Sequence, residues 1–340
     1  ATVPGCAQLE LSKHGILPQD LFMGQNVRLF SEYESWEWLY EREFIAPKDK
    51  DNLYLVFKGV DCIADYYLNG ALIGHSDNMM IPVEFFIGDK VKDGINSILV
   101  HIKSPIKEAF YTDYDILNIR SAWYEESSCI RKPPHSYGWD IMPRVVTSGI
   151  WRDVYLENRD ILYFKQAYIT QKDDHFVFSF EIAGHWEDFY DIKIEIEGAC
   201  GESKFFAGKN IRFNKGNISF TISEPKLWWP YGYGEPNLYD ATYRIYRDGM
   251  VLHEANSHFG IRTVSFENSV ITDGENGKFR FLINGKEIMC KGTNWLPLDL
   301  FHCRDKERYE RALYYLKDIG CNIVRCWGGN LYEDREFFEF

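Results

Sequence analysis

The 340-residue chain contains no run of about 18 apolar residues, which excludes a transmembrane helix, so no membrane partner is expected. It also lacks a cluster of Lys and Arg. Asp and Glu outnumber Lys and Arg by 51 to 38, and the formal net charge of −13 would repel a phosphate backbone, which argues against nucleic acid as a partner. There is no Gly-x-Ser-x-Gly elbow, no P-loop, no His-Glu-x-x-His and no dinucleotide glycine fingerprint, so no metal or cofactor is implied. The eight cysteines include no Cys-x-x-Cys pair and form no regular framework; most are expected to be free and buried, and they leave the compartment open. The start, Ala1-Thr2-Val3-Pro4-Gly5, has neither an initiator Met nor a basic region followed by an apolar stretch, and both ends read as cut. Asn217-Ile218-Ser219 is a lone glycosylation sequon, meaningful only in a secretory pathway.

Aromatic residues are plentiful instead, 16% of the chain with 10 Trp and 22 Tyr, and many stand beside Gly, Pro or Asn at expected turns. Exposed flat rings suit the C–H faces of sugars, although packing at the corners of a β-rich protein accounts for most of them. The length suggests two or three domains. From about Trp36 to Pro105, short alternating segments are separated by turn chemistry, with Asn69-Gly70 between DYYL and ALIG as a type I′ hairpin signal. Residues 1–158 are therefore predicted to form an antiparallel β-sandwich with long loops. Residues 159–264 hold six or seven further strands, the pattern of an Ig-like sandwich, without the Cys-Trp-Cys core of antibody domains.

Residues 265–340 change character. After a second Asn-Gly hairpin at Asn284-Gly285, a strand at 287–291 leads through Gly-Thr-Asn-Trp to a helix and then to a strand at 322–327, which makes one βαβ unit. In that helix Asp305 is positioned to cap the start, Tyr309, Ala312, Leu313 and Leu316 follow at helical spacing, and Gly320 sits where a terminating glycine belongs. If this unit opens a (β/α)8 barrel, Asn294, Trp295, Arg325 and Trp327 lie at the carboxyl ends of its strands, where such barrels carry their active sites. Amide and guanidinium groups can bind sugar hydroxyls and an indole can support a sugar ring; equally, Arg325 could be an ion-pair partner and both Trp residues rim packing. The segment 121–151 is too long and too rich in Trp, Tyr, Pro and charge for a plain sandwich connection. Within it Trp139-Asp140 pairs a stacking ring with a carboxylate, or is a packed ring beside a solvated turn. The stretch 225–239, with Trp228, Trp229, Tyr231 and Tyr233, reads first as a structural aromatic corner. Glu125-Glu126 and Glu333-Asp334 read as solvated faces or helix starts, and no acidic pair reads as catalytic.

Seven ordered stretches carry a family likeness: ATVPG at 1–5, GVDCIADYYLNGALIG at 59–74, GWDIMPRVVTSGIW at 138–151, LWWPYGYGEPNLY at 227–239, FGIRTV at 259–264, KGTNWLPLDLF at 291–301 and NIVRCWGGNLYE at 322–333. On these residues the chain resembles glycoside hydrolase family 2, and within it the β-mannosidases. The resemblance implies a mainly β protein: a jelly-roll β-sandwich, an Ig-like β-sandwich and the start of a (β/α)8 barrel. It further implies removal of non-reducing-end β-mannose with retention of configuration, so the expected partners are β-mannoside oligosaccharides. Trp139 and Asp140 would enter the sugar pocket, Arg325 and Trp327 would form its floor and wall, and Asn294 and Trp295 its first loop. β-Galactosidase, β-glucuronidase and exo-β-glucosaminidase specificities, and a non-catalytic carbohydrate-binding role, are the competing readings. The family also suggests a periplasmic, secreted or lysosomal setting. Two departures stand out. Trp139-Asp140 is followed by Ile141-Met142-Pro143 rather than Trp-Gly-Pro. The two catalytic glutamates that the family carries on barrel strands four and seven, about 5 Å apart, are expected beyond Phe340, since no Asn-Glu dipeptide occurs in the sequence, and the chain by itself is expected to be inactive.

Overall fold

A computed structural model describes residues 1–112, 125–185, 187, 189–269 and 277–340, and their secondary structure is mainly strand. The chain divides into two compact units, one of Ala1–Asn158, Asn294–Tyr315 and Arg325–Phe340, the other of Arg159–Thr293 and Leu316–Val324.

In the first unit, strands β1 (Trp38–Ile45), β2 (Leu53–Phe57), β3 (Ala64–Leu68), β4 (Ala71–Ser76), β5 (Val83–Phe86), β6 (Ile95–Ile102) and β7 (Val154–Asn158) form two antiparallel sheets, ordered β1-β6-β3-β4 and β5-β2-β7. Period-two alternation turns Ile98, Val100 and Ile102 of β6 inward, where they meet Leu53, Leu55 and Phe57 of β2 in a common core. The β3-β4 hairpin closes on Asn69 and Gly70 at φ of 51° and 84°, the two left-handed residues that a type I′ turn requires. A short helix, α1 (Ala7–Lys13), starts after Cys6, and α2 (Pro105–Tyr111) follows β6, capped by the Ser104 hydroxyl, which accepts from the Lys107 N–H.

The second unit holds β8 (Leu162–Gln171), β9 (Phe176–Gly184), β10 (Ile192–Cys200), β11 (Ser203–Ile211), β12 (Lys215–Phe220), β13 (Tyr239–Arg247) and β14 (Met250–Phe259), in sheets ordered β12-β9-β8 and β11-β10-β13-β14. In β10, Ile192, Ile194 and Ile196 face the core while Lys193, Glu195 and Glu197 face away. Burial of such a side chain contributes roughly 1.5–3 kcal/mol. At 212–214 the chain passes from β11 in one sheet to β12 in the other.

A meander of β15 (Val264–Asn268), β16 (Phe279–Ile283) and β17 (Lys286–Ile288) follows, with the Asn284-Gly285 turn again at positive φ. Of the strand expected at 287–291, only the first part forms, and it ends at Ile288. That part is used by the β16-β17 register, in which Ile288 lies opposite Phe281, and the next strand, β18, begins at Gly292 and ends at Trp295. After α3 (Lys306–Asp318), strand β19 (Ile323–Cys326) pairs with β18. The Asn322 N–H donates to the Lys291 carbonyl at one end and the Trp327 N–H to the Trp295 carbonyl at the other, so the two strands run parallel. Tyr309 is buried on α3, and Ala312, Leu313 and Leu316 are half-buried on the same face. At its end the N–H groups of Gly320 and Cys321 reach the carbonyls of Lys317 and Leu316, the Schellman arrangement expected of Gly320 at φ 81°. At its start the expectation fails: the Asp305 carboxylate is turned to His302 rather than capping α3, and it is the Asp305 carbonyl that accepts from Arg308. A final short helix is α4 (Arg335–Glu339). All eight cysteines are free, as expected, but only Cys6 and Cys62 are fully buried, and Cys290 and Cys326 are exposed.

Candidate functional site

The residues described first all lie in the first unit. The chain approaching β7 is held by a buried ion pair: Lys132, wholly inaccessible, donates to the carboxylate of Asp61, to the Thr147 carbonyl at 3.1 Å and to the Thr147 hydroxyl at 2.9 Å. The Thr147 hydroxyl in turn donates to Asp61 at 2.6 Å. Both ends of segment 132–147 are thereby tied to one carboxylate. Arg144, inside the segment, donates to both carboxylate oxygens of Glu34, from Nε at 3.0 Å to each and from Nη2 at 2.7 Å, and to Glu126 at 2.6 Å. Glu125-Glu126, read as a solvated face or a helix start, does open the 3₁₀ turn Glu125–Ser128, and Glu126 is in addition an ion-pair partner. Between these anchors a 3₁₀ turn, Pro134–Tyr137, is packed inside, and Gly138 at φ 101° turns the chain outward. A two-residue reversal then pairs Trp139 with Met142, which leaves the Trp139 ring 51% exposed and Asp140 exposed at the tip. Of the long segment read from sequence, residues 121–124 lie outside the described residues.

The carboxyl ends of β18 and β19 supply the rest. Trp327 is half-buried, its ring centre 5.9 Å from that of Trp139 with the planes inclined at 48°, and 6.2 Å from the ring of His135. Two indoles that are 188 residues apart in sequence thus form one angled aromatic wall. Asn294 and Arg325 are both exposed and meet each other: the guanidinium donates to the Asn294 side-chain oxygen over 3.4 Å. Trp295 is placed differently. It is buried, its indole N–H donates to Glu333 at 2.8 Å, and its ring packs on Phe337 at 4.9 Å and Tyr309 at 6.4 Å, so it joins β18 to α3 and α4. Of the two readings of Glu333-Asp334, a solvated face or a helix start, the second holds, since Asp334 stands immediately before α4; Glu333 also accepts from Asn330 at 3.0 Å and Asp334 pairs with Arg152. Burial raises the pKa of both carboxyls.

Behind Trp327 stands a relay the sequence did not disclose. Asp305 lies 2.5 Å from Nδ1 of His302, and the Nε2 atoms of His302 and His135 are 2.9 Å apart, so one ring carries the shared proton and the other accepts it. Burial, with the neighbouring His302 and Lys132, drives the pKa of His135 down to about 3 and keeps it neutral. A neutral ring can back Trp327 without placing a cation behind the aromatic wall. No local pattern marks this triad, because His135 and His302 are 167 residues apart. Among the described residues no group of three His, Cys, Asp or Glu side chains is arranged to hold a metal ion. Within the second unit, the aromatic stretch 225–239 is a corner: the Trp228 N–H donates to Ile261, the Asn284 amide donates to the Trp228 carbonyl at 3.0 Å, and Arg262 covers the Trp228 ring.

Comparison with known proteins places these features in a family. Residues 1–152 match the glycosyl hydrolase 2 galactose-binding domain-like model, and residues 162–262 match the model for glycosyl hydrolases family 2. The chain carries N-terminal domains of glycoside hydrolase family 2. Over its whole length it is 29% identical to the beta-mannosidase of Capra hircus, and over 99% of it 27% identical to beta-mannosidase B of Emericella nidulans. It spans about 41% of the length of each. Among solved structures it superposes on the beta-D-mannosidase of Dictyoglomus thermophilum with a TM-score of 0.88 at 30% identity, covering all of this chain and 43% of that one. The exo-chitosanase of Amycolatopsis orientalis, with a TM-score of 0.66 at 21% identity, shares the fold.

Proposed function

We propose that this chain is the N-terminal, sugar-holding portion of a retaining glycoside hydrolase that removes non-reducing-end β-D-mannose from oligosaccharides. In this reading residues 1–158 are a jelly-roll domain, 159–264 an Ig-like domain, and 265–340 the first βαβ portion of a (β/α)8 barrel. The observation that carries it is the meeting of Trp139 with Trp327, a sandwich loop and a barrel strand end making one aromatic wall, in a chain similar along its whole length to beta-mannosidases. Asp140, free at the loop tip, accepts sugar hydroxyls. Arg325 and Asn294 bind a further hydroxyl or orient a carboxylate, and Trp295 supports the loop they stand on. The acid/base and nucleophile that form and break the glycosyl-enzyme bond lie outside this chain, which alone does not turn over substrate.

The test is a panel of 4-nitrophenyl β-mannoside, β-galactoside, β-glucuronide and β-glucosaminide with the protein extended through a complete barrel. A preference for mannoside is expected, and Asp140→Ala should lower kcat/KM by roughly tenfold to a hundredfold, the value of one or two charge-assisted hydrogen bonds. Preference for another glycoside would reassign the sugar, and binding without turnover would favour a carbohydrate-binding role.

A further inference from the structure

The turn Pro134–Tyr137, which leads into Trp139, and the 3₁₀ turn His302–Arg304, which leads into α3, are joined by a hydrogen bond between the Nε2 atoms of His135 and His302 at 2.9 Å. His135 is fully buried and His302 is 7% exposed. Nδ1 of His302 lies 2.5 Å from the carboxylate of Asp305, the residue immediately before α3. We infer that Asp305, His302 and His135 are positioning residues of the sugar site: their hydrogen bonds hold the turn behind Trp139 in place and so set the Trp139 ring against that of Trp327. The inference rests on the reading of those two indoles as a sugar-binding wall.

The surroundings fix the protons. Nδ1 of His135 is buried with no partner among the described residues. Were His302 the donor between the rings, a neutral His135 would carry its own proton on Nδ1, an N–H buried without an acceptor. With His135 donating from Nε2, its Nδ1 is bare, and His302, accepting at Nε2, keeps its proton on Nδ1 and donates it to Asp305. Only this second order pairs every N–H of the two rings. Burial raises the pKa of Asp305 and the His302 bond opposes that rise, while the N-terminus of α3 favours an anion beside it. Trp327 meets the held turn twice, its ring centre 6.2 Å from His135 and 5.9 Å from Trp139, and the Gly138 N–H, which donates to the His135 carbonyl at 2.9 Å, ties the two ends of that turn together. Loss of the His135 donor leaves Nε2 of His302 a buried acceptor without a partner, a state relieved when the two turns part and admit water. The Trp139 ring then moves away with its turn.

Two indoles this close and inclined at 48° couple as excitons and give a far-ultraviolet circular dichroism couplet. The 340-residue chain is prepared as wild type, as His135→Phe, which keeps a ring but no donor, and as His135→Gln, which keeps a donor but no ring, each with and without Trp327→Phe. The difference that Trp327→Phe makes in each background isolates the wall, and the stacked Trp36 and Trp38, 5.8 Å apart, keep a couplet of their own that reports a folded unit. The wall couplet is expected in wild type and His135→Gln and is expected to be lost in His135→Phe. A couplet that survives in His135→Phe, or that His135→Gln fails to keep, overturns the inference. Should a variant not fold, nitrogen-15 spectra of the wild-type imidazoles decide: protons on Nε2 of His135 and Nδ1 of His302 are expected, and a proton on Nδ1 of His135 overturns the relay. In the protein extended through a complete barrel, His135→Phe should raise KM for 4-nitrophenyl β-mannoside at least tenfold with kcat unchanged, since the relay reaches the wall and no reacting group; an unchanged KM overturns its part in sugar binding. An extended wild type that hydrolyses no mannoside refutes the sugar reading instead, and the couplet still decides the relay.

Discussion

Replacing Lys132 by Met removes the one cation on which the carboxylate of Asp61 and both ends of segment 132–147 converge. The Lys132 side chain is fully buried and that of Asp61 3% exposed, so water cannot take over the contact. Of the surviving donors only the Thr147 hydroxyl, 2.6 Å away, reaches the paired oxygen, and the other carboxylate oxygen has no partner among the described residues. A carboxylate stranded in this way is an unpaired buried charge, so Lys132→Met should destabilise the first unit by about 3–5 kcal/mol. Urea unfolding measures this, and Asp61→Asn combined with Lys132→Met should recover part of the loss. A deficit under about 1 kcal/mol, the worth of a surface ion pair, would refute the reasoning.

Three further outcomes follow from the same geometry. His135 is neutral in the fold down to about pH 3, whereas an unfolded His protonates near 6.5, so the unfolded chain binds more protons in that window and stability falls with pH; between pH 6.5 and 5 the wild type should lose up to roughly 2 kcal/mol that His135→Phe does not lose, as read by denaturant titration. Trp295→Phe takes from Glu333 its indole donor and should lower stability by about 1–3 kcal/mol, seen as a fall in Tm, while an unchanged Tm would remove the indole–carboxylate bond as a support of β18 and α4. Gly285→Ala meets no atom within 4 Å but must hold φ near 76°, so the second unit should lose about 1–2 kcal/mol by backbone strain alone, and a neutral result in urea unfolding would contradict that.

The features legible in the sequence are those written locally. Asn69-Gly70 and Asn284-Gly285 announce type I′ turns because both turn positions need positive φ, and α3 shows itself through the spacing from Tyr309 to Leu316 and its glycine stop. The extra chemistry of segment 121–151 marks a loop that projects an indole, and that indole is exposed. What the sequence hides is whatever depends on distant partners. Asp305 has a capping residue's position but is taken by His302; Glu333 reads as a solvated face or a helix start until the Trp295 indole is placed beside it; and the strand expected at 287–291 ends at Ile288, the Lys291 N–H being taken by the Asn322 side chain. Trp295 shows the same limit from the other side, since its place in the motif does not reveal that its ring packs beneath the loop with α3 and α4.

The central claim is that this chain shapes and holds a β-mannoside pocket whose bond-breaking groups are supplied elsewhere in a longer protein. It is tested most directly by assaying 4-nitrophenyl β-mannoside with the 340-residue chain and with the protein extended through a complete barrel, each as wild type and as Trp327→Ala. The account predicts hydrolysis by the extended form only, with kcat/KM reduced at least tenfold by Trp327→Ala. Hydrolysis by the 340-residue chain, or an extended form indifferent to loss of the Trp327 ring, would contradict it.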